Sequence, residues 1–162
     1  MDAIISDQVR QWISCKKYVE GERLHFDAPK PGCRIDVPLF DAQSPSDKFT
    51  LSLYEGARSS RLLLSLDASR KFTMQTRRSS HPLVRIDIDD NARHTNPDGT
   101  ILCGSHVHVC VEKYGCAFAF PLASDEGIII AGTSEDVPEV FESFRHYCNI
   151  DKELAIKWSL GI

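Results

Sequence analysis

Two segments of the chain alternate apolar and polar residues, and this period of two is the feature that most constrains the fold. Residues 83–89 and 106–112 each place valine or isoleucine at every second position. The polar positions between them are Arg85, Asp87, Asp89, His106, His108, Cys110 and Glu112. Successive side chains of a β-strand point to opposite faces of a sheet. Both segments therefore predict strands with one apolar side and one side that carries ionisable groups, which is the candidate functional site.

Short runs rich in β-forming residues, separated by turn residues, extend from about residue 24 to 122. The predicted strands are Leu24–Phe26, Arg34–Phe40, Phe49–Glu55, Arg61–Asp67, Lys71–Arg77, Leu83–Asp89, His106–Glu112 and Ala117–Leu122. Links such as 56–60 and 113–116 are short, which favours antiparallel neighbours because parallel pairing needs long crossovers. Prolines interrupt 28–48, so an irregular segment is the alternative there.

Helical periodicity flanks the β-rich region on both sides. A helix is predicted over 3–19 with Gly21 as its stop, and a second over 134–148 with Thr133 or Ser134 as its N-cap. Their apolar faces are Ile5, Val9, Trp12 and Ile13 in the first helix and Val137, Val140, Phe141 and Phe144 in the second. A last helix is predicted over 152–159, with Asp151 as its cap and with Leu154 and Trp158 buried.

These elements predict an α+β fold in one domain over residues 1–162, a length that suits a single core. In the simplest assembly, an antiparallel β-sheet is packed on one face by the N- and C-terminal helices, and its other face is free for function. By alternation, that polar face gathers Thr50, Ser52, Tyr54, Gln75, Arg77, Arg85, Asp87, His106 and His108.

Charge and hydropathy restrict the possible partners. The net charge of −4 argues against tight nonspecific binding of nucleic acid, although a local basic patch stays possible. No apolar run approaches the ~20 residues of a membrane helix, and the N-terminus lacks the layout of a signal peptide, so we expect a cytoplasmic protein that does not contact membranes. The six cysteines include no C-x-x-C pair, so most are expected to be free thiols, with Cys110 and Cys116 buried.

The His106-Val-His108 pair is a candidate metal site. Two imidazoles on one strand face lie close enough to ligate one ion, with His94, Asp87 or Cys110 as a third ligand. Three or four such ligands would hold Zn²⁺ or a similar ion. A half-buried, hydrogen-bonded histidine pair without a metal is the commoner outcome, so the sequence predicts no cofactor, with zinc as the alternative.

The same region also contains the parts needed for metal-free phosphodiester cleavage. That reaction needs a base for the 2′-hydroxyl, an acid for the leaving oxygen and a cation for the phosphorane. The candidate catalytic residues are His94, His106, His108, Arg85 and Asp87, and the candidate substrate-binding residues are Arg77 and Arg93. The structural alternative for Arg85 and Asp87 is an exposed ion pair that contributes less than about 1 kcal/mol.

The stretch Asn96-Pro-Asp-Gly99 is a turn signature, because proline fixes φ, aspartate bonds its own backbone and glycine takes positive φ. Such a turn reverses the chain. It would return His94 to the side of His106 and His108.

Two resemblances rest on these residues. The order Leu83-Val-Arg85-Ile-Asp87, Ala92-Arg-His94 and Ser105-His106-Val-His108, followed by a helix, resembles the core of the small bacterial TumE-type toxins. That family tends to have Ala-Pro-His-His where this chain has Ala92-Arg-His94. The chain also resembles an uncharacterised family of bacterial and phage proteins that share Arg-x-Asp, His-x-Asn-Pro-Asp-Gly and His-x-His. The match covers about residues 72–150.

The TumE resemblance implies a RelE-like or related toxin that acts on RNA and is silenced by an antitoxin protein. By position, its site would be Arg85, Asp87, His94, His106 and His108. The uncharacterised family implies no known activity. A non-enzymatic protein remains the alternative, such as a phage-encoded inhibitor or adaptor that binds a protein partner through the polar sheet face, since an acidic chain suits protein contact.

Overall fold

A seven-stranded antiparallel sheet forms the centre of the structure, a computed structural model that describes residues 5–57, 71–124 and 130–159. The elements are α1 Asp7–Ser14, β1 Lys17–Val19, β2 His25–Asp27, β3 Arg34–Asp41, β4 Lys48–Glu55, β5 Phe72–Arg78, β6 His81–Ile88, β7 Arg93–Thr95, β8 Ile101–Cys103, β9 His106–Val109, β10 Ala119–Pro121, α2 Val137–Tyr147 and β11 Ala155–Lys157. The strand order in the sheet is β1-β3-β4-β5-β6-β9-β10. The predicted α+β class, with an antiparallel sheet, is confirmed.

Two further pairs of strands lie outside the large sheet. Strands β7 and β8 form an antiparallel hairpin, which carries the predicted Asn96–Gly99 turn. Strand β2 pairs in parallel with β11, so residues 155–157 lie against the N-terminal part of the chain.

The apolar face of the large sheet forms the core together with both helices. Its fully buried residues include Val37, Leu39, Leu51, Leu53, Met74, Val84, Ile86, Ile88, Val107 and Val109. Helix α1 packs against β6 and α2 against β5, and the predicted apolar stripe of α2 is completely buried. Burying each such side chain stabilises the fold by about 1.5–3 kcal/mol.

The N-terminal helix is shorter than the predicted 3–19. It begins after Ser6, whose hydroxyl accepts a hydrogen bond of 3.2 Å from the Val9 amide, and it ends at Ser14. Residues 17–19 leave the helix because they pair with the edge of β3 as strand β1. Ile5 and Ile13 are buried, as the helical spacing predicted.

Helix α2 begins later than predicted. Its N-cap is Asp136, whose carboxylate accepts a bond of 3.1 Å from the Glu139 amide, rather than Thr133 or Ser134. Pro138 follows in the first turn, where a missing N–H costs nothing because that group has no helical partner.

The predicted helix over 152–159 is wrong. Residues 155–157 are strand β11, and the Ala155 amide donates to the Leu24 carbonyl at 2.8 Å. The burial prediction is confirmed for Leu154, and Trp158, partly buried, packs on Phe141 with ring centroids 5.6 Å apart. The apolar spacing was therefore real, but main-chain pairing with β2 determines the conformation.

The remaining differences concern strand bounds. The predicted strand Arg61–Asp67 lies outside the described residues. The predicted strand 106–112 ends at Val109, because the chain then turns tightly through a bridge between Val111 and Gly115. Within 28–48, the regular strand β3 forms despite Pro38. This proline lies beyond the last residue that pairs with β1, and only its carbonyl takes part in main-chain bonding there, as the acceptor for the Glu20 amide.

The prediction that most of the cysteines are free thiols is confirmed, but the state predicted for Cys110 and Cys116 is wrong. Cys110 and Cys116 form a disulfide, and neither is fully buried, since the tight turn between them brings the two side chains together at the surface. Among the described residues, the four free cysteines include only one buried thiol, that of Cys148. Burial raises the pKa of this thiol to about 12.

A buried lysine joins the ends of the two helices. The Nζ of Lys17, which is 0% exposed, donates to the carbonyls of Ile13 at 2.8 Å, Cys15 at 3.0 Å and Cys148 at 2.8 Å. Burial lowers the pKa of Lys17, but these carbonyls occupy all three donors of an ammonium group.

Within the described ranges, no helix has the length and apolar character needed to cross a membrane.

Candidate active site

The register of β6 and β9 brings four of the predicted site residues together. Arg85 pairs with His108 and Asp87 pairs with His106 on adjacent strands. The alternation in both strands has the same phase, because the valines and isoleucines between these residues are buried on the opposite face. The convergence predicted from the sequence is therefore present in the sheet.

His94 reaches the same place from the β7–β8 hairpin. Its ring centroid lies 5.4 Å from that of His106 and 4.9 Å from that of His108, which are themselves 5.0 Å apart. The turn after His94 reverses the chain as its sequence predicted. We call His94, His106 and His108, with Arg85 and Asp87, the histidine cluster.

Asn96 holds the hairpin against the large sheet. Its amide group donates to the Ala119 carbonyl at 2.9 Å and accepts from the Ala119 amide at 2.7 Å, and the residue is only 4% exposed. The side chain thus pairs with β10 as another strand would. From its sequence, Asn96 was predicted only as a turn residue, and this contact with Ala119 was not predicted.

Replacing Asn96 by alanine is expected to lower the free energy of unfolding by about 2–4 kcal/mol, because two hydrogen bonds are lost and both main-chain groups of Ala119 stay buried. Equilibrium unfolding in urea measures the change. Gln43→Ala is the control, since Gln43 is exposed. An Asn96→Ala protein as stable as this control would contradict the assigned role.

Main-chain carbonyls fix the tautomer of each histidine. The Nδ1 atoms of His106 and His108 lie 2.9 Å from the Gly104 oxygen and 3.1 Å from the Cys116 oxygen, and His94 Nε2 lies 3.0 Å from the Ala117 oxygen. A carbonyl oxygen can only accept, so each of these nitrogens carries a proton. In the neutral rings, the other nitrogen of each histidine therefore holds a lone pair.

One oxygen of Asp87 is the electrostatic centre of the cluster. Its Oδ2 accepts from Arg85 Nε at 3.0 Å and Nη2 at 2.9 Å, and it lies 3.5 Å from His106 Nε2 and 3.6 Å from His108 Nε2. Burial raises the pKa of Asp87, but the hydrogen bond with His106 and the charge of Arg85 outweigh burial and lower it to about 2. The carboxylate is thus ionised across the physiological pH range.

The two strand histidines have opposite shifts. The hydrogen bond with Asp87 raises the pKa of His106 above 6.5, although burial opposes it. Burial, and then the charge of Arg85, lowers the pKa of His108 to about 4. Between pH 5 and 6.5, His106 is therefore mostly protonated and His108 neutral, so the contact of His108 with Asp87 is not an ion pair.

A comparison with known protein families gives a match over most of the chain. A family model described as a family of unknown function, DUF6978, matches residues 5–150, which include the whole histidine cluster. The chain belongs to DUF6978. The resemblance to an uncharacterised family is thereby confirmed at that level. No curated protein and no solved structure matches the chain.

Other predicted residues of the DUF6978 chain lie outside the cluster. Arg77 lies on the polar face, with its Nη2 4.0 Å from Asp36, and Arg93 neighbours His94 along β7, so its side chain points to the other side of the hairpin. Neither arginine joins the cluster. Cys110 is held in its disulfide and is not free to serve as a third metal ligand.

A groove of about 500 Å³ lies beside the cluster in the DUF6978 chain. Its lining includes Tyr54, Lys71, Thr73, Asp87, Asp89 and His106. The volume is in the range of small-molecule sites, about 300–1,000 Å³. A ligand in this groove would lie against Asp87 and His106.

Proposed function

We propose that the histidine cluster cleaves phosphodiester bonds of RNA, as a toxin-like endoribonuclease that needs no metal ion. One observation carries the proposal. The Nε2 atoms of His106 and His108 lie 3.5 and 3.6 Å from one oxygen of Asp87, which also orients Arg85, and the opposite pKa shifts of the two histidines favour the proton on His106. Paired groups whose pKa values are shifted apart are typical of acid–base catalysis.

The two histidines divide the proton transfers. His108, neutral at Nε2, accepts the proton of the 2′-hydroxyl as the 2′-oxygen attacks phosphorus. The bond from phosphorus to the 5′-oxygen breaks, and protonated His106 donates its Nε2 proton to that leaving oxygen. The products are a 2′,3′-cyclic phosphate and a 5′-hydroxyl. Exchange with water then restores the starting protonation states.

Arg85 supplies the positive charge. Its Nε and Nη2 bond to Asp87, which leaves Nη1 donors for the phosphorane oxygens, and its side chain is 45% exposed. A guanidinium held in place before the reaction stabilises charge that develops only in the transition state. The ion pair with Asp87 thus orients Arg85, beyond any small gain in stability.

A metal-dependent reaction is less well supported at this site. The Asp87 oxygen that faces both histidines already binds the Arg85 cation. A divalent ion on the same oxygen would lie close to that positive charge. The arrangement therefore favours proton transfer by the histidines over catalysis by an ion bound to Asp87.

The proposal extends to the biological role that the TumE resemblance implies. The protein would act on RNA in the cytoplasm as the toxin of a bacterial or phage toxin–antitoxin pair, and an antitoxin protein would silence it. Its net charge of −4 suits recognition by a protein partner.

Cleavage of total RNA by the tag-free protein in EDTA tests this function. We expect fragments that end in 2′,3′-cyclic phosphate, while DNA of matched sequence stays intact because it lacks the 2′-hydroxyl. Cleavage of DNA would contradict the mechanism. If RNA also stays intact with a folded protein, the nuclease proposal fails and the non-enzymatic protein-binding alternative takes its place.

A further inference from the structure

Three ring nitrogens of the histidine cluster converge. His94, His106 and His108 each offer a ligand atom, and these atoms lie within 4.8 Å of one another. Within the described residues, His108 Nε2 is buried and has no hydrogen-bond partner, and its side chain is 6% exposed. Since main-chain carbonyls occupy the other ring nitrogens, the convergent atoms are His94 Nδ1 and the Nε2 atoms of His106 and His108.

Three ring nitrogens that converge beside a carboxylate form an arrangement that suits a bound cation. A proton on His106 Nε2 would be directed to Asp87, and the buried Nε2 of His108 would still have no hydrogen-bond partner in the part of the chain that the structure describes. Neutral imidazole is a ligand for divalent zinc, copper and nickel. A ligating histidine commonly donates its other ring N–H to a main-chain carbonyl, as each of these three does.

We infer that the three histidines form a binding site for one divalent ion of the zinc class, and that this ion inhibits the cleavage proposed above. The ligands are His94 through Nδ1 and His106 and His108 through Nε2. Zinc–nitrogen bonds of about 2.0–2.1 Å would draw the rings closer together than they now lie.

Inhibition follows from competition for the same atoms. The lone pair of His108 Nε2 that would accept the 2′-hydroxyl proton is the one that would bind the ion, and ligated His106 Nε2 could carry no proton for the leaving oxygen. The inhibitory half of the inference rests on the proposed function, whereas the metal site itself does not.

Calorimetric titration of the metal-free, tag-free protein with zinc chloride tests the site. We expect one ion per chain, and an affinity at least about 100-fold lower in His94→Ala, since even an outer partner of a ligand contributes about 10–100-fold. His94→Gln is the second variant, and circular dichroism checks that both fold. His146→Ala, at an exposed histidine, should bind zinc like the wild type. Absence of stoichiometric binding, or wild-type affinity in both His94 variants, would overturn the site.

Inhibition of cleavage by the bound ion is tested separately with RNA. Cleavage should be complete in EDTA, stop when one equivalent of zinc is bound, and return with excess EDTA. Cleavage that continues with zinc bound would overturn inhibition, and so would cleavage that requires zinc. If no condition gives cleavage, the inhibition and the proposed function both fail, while the titration still decides the metal site.

Discussion

The double variant His106→Asn/His108→Asn is expected to cleave RNA about 10²–10⁴-fold more slowly than the wild type, or slower still, because both proton-transferring nitrogens are lost. Asparagine is chosen over alanine because its amide can still donate to the carbonyls of Gly104 and Cys116, which the two Nδ1 atoms now bond. The fold should therefore survive. Initial rates on a labelled single-stranded RNA, measured in EDTA, give the effect.

The control for this variant is His81→Asn/His146→Asn, which changes two exposed histidines. It should cleave at the wild-type rate, so that a loss of rate in the cluster variant alone can be assigned to the cluster and not to a contaminating nuclease. If the cluster variant keeps its rate as well, cleavage takes place elsewhere. The rate losses of the two single variants, His106→Asn and His108→Asn, should not add up to the loss of the double variant, since the two histidines act in one step.

Replacing Asp87 by asparagine is expected to lower the cleavage rate by about 10²-fold or more and to lower the pKa of His106. The hydrogen bond to this carboxylate is the main reason that the pKa of His106 is raised, and burial, which acts in the opposite direction, would remain. His106 would then lose its proton at lower pH, and fewer molecules would hold the acid near neutrality. Arg85 would also lose the anion that orients it.

NMR titration of the His106 ring measures this pKa directly, a quantity that a purely structural role of Asp87 would leave unchanged. The alkaline limb of the rate–pH profile should move to lower pH with it. Asp90→Asn is the matched control, since Asp90 lies on the surface outside the cluster. An unchanged titration of His106 in Asp87→Asn would contradict the hydrogen bond assigned between Asp87 and His106.

Much of the cluster could be predicted from the sequence because strand alternation has only two phases. Once Val84, Ile86 and Val107 are assigned to the core, Arg85, Asp87 and the two strand histidines must point the other way. The position of His94 followed from turn chemistry at 96–99. Both inferences use local information alone, which is why they were accessible without a structure.

The parts that were not predicted are short strands or contacts between residues that carry no periodic signal. Strands β1, β7, β8 and β11 have three residues each, too few to show a period. Leu154 and Trp158 have helical spacing, yet pairing with β2 makes 155–157 a strand. Cys110 and Cys116 meet only because of the turn between them. Neither Asn96 nor its partner Ala119 carries a local sign of their contact.

The lysine that bonds the ends of both helices couples folding to the order of synthesis. Lys17 donates to the carbonyl of Cys148, which lies 131 positions later in the chain. Strand β2 likewise pairs with β11, which is synthesised much later. At about 5–20 residues per second, a ribosome adds the later partner roughly 7–26 s after the first. Until then, the Cys148 carbonyl that accepts from Lys17 is absent, and the N-terminal strands lack the C-terminal elements that pack on them. A nascent chain of this protein would thus expose apolar sheet for seconds, during which a chaperone or a bound partner could protect it from aggregation.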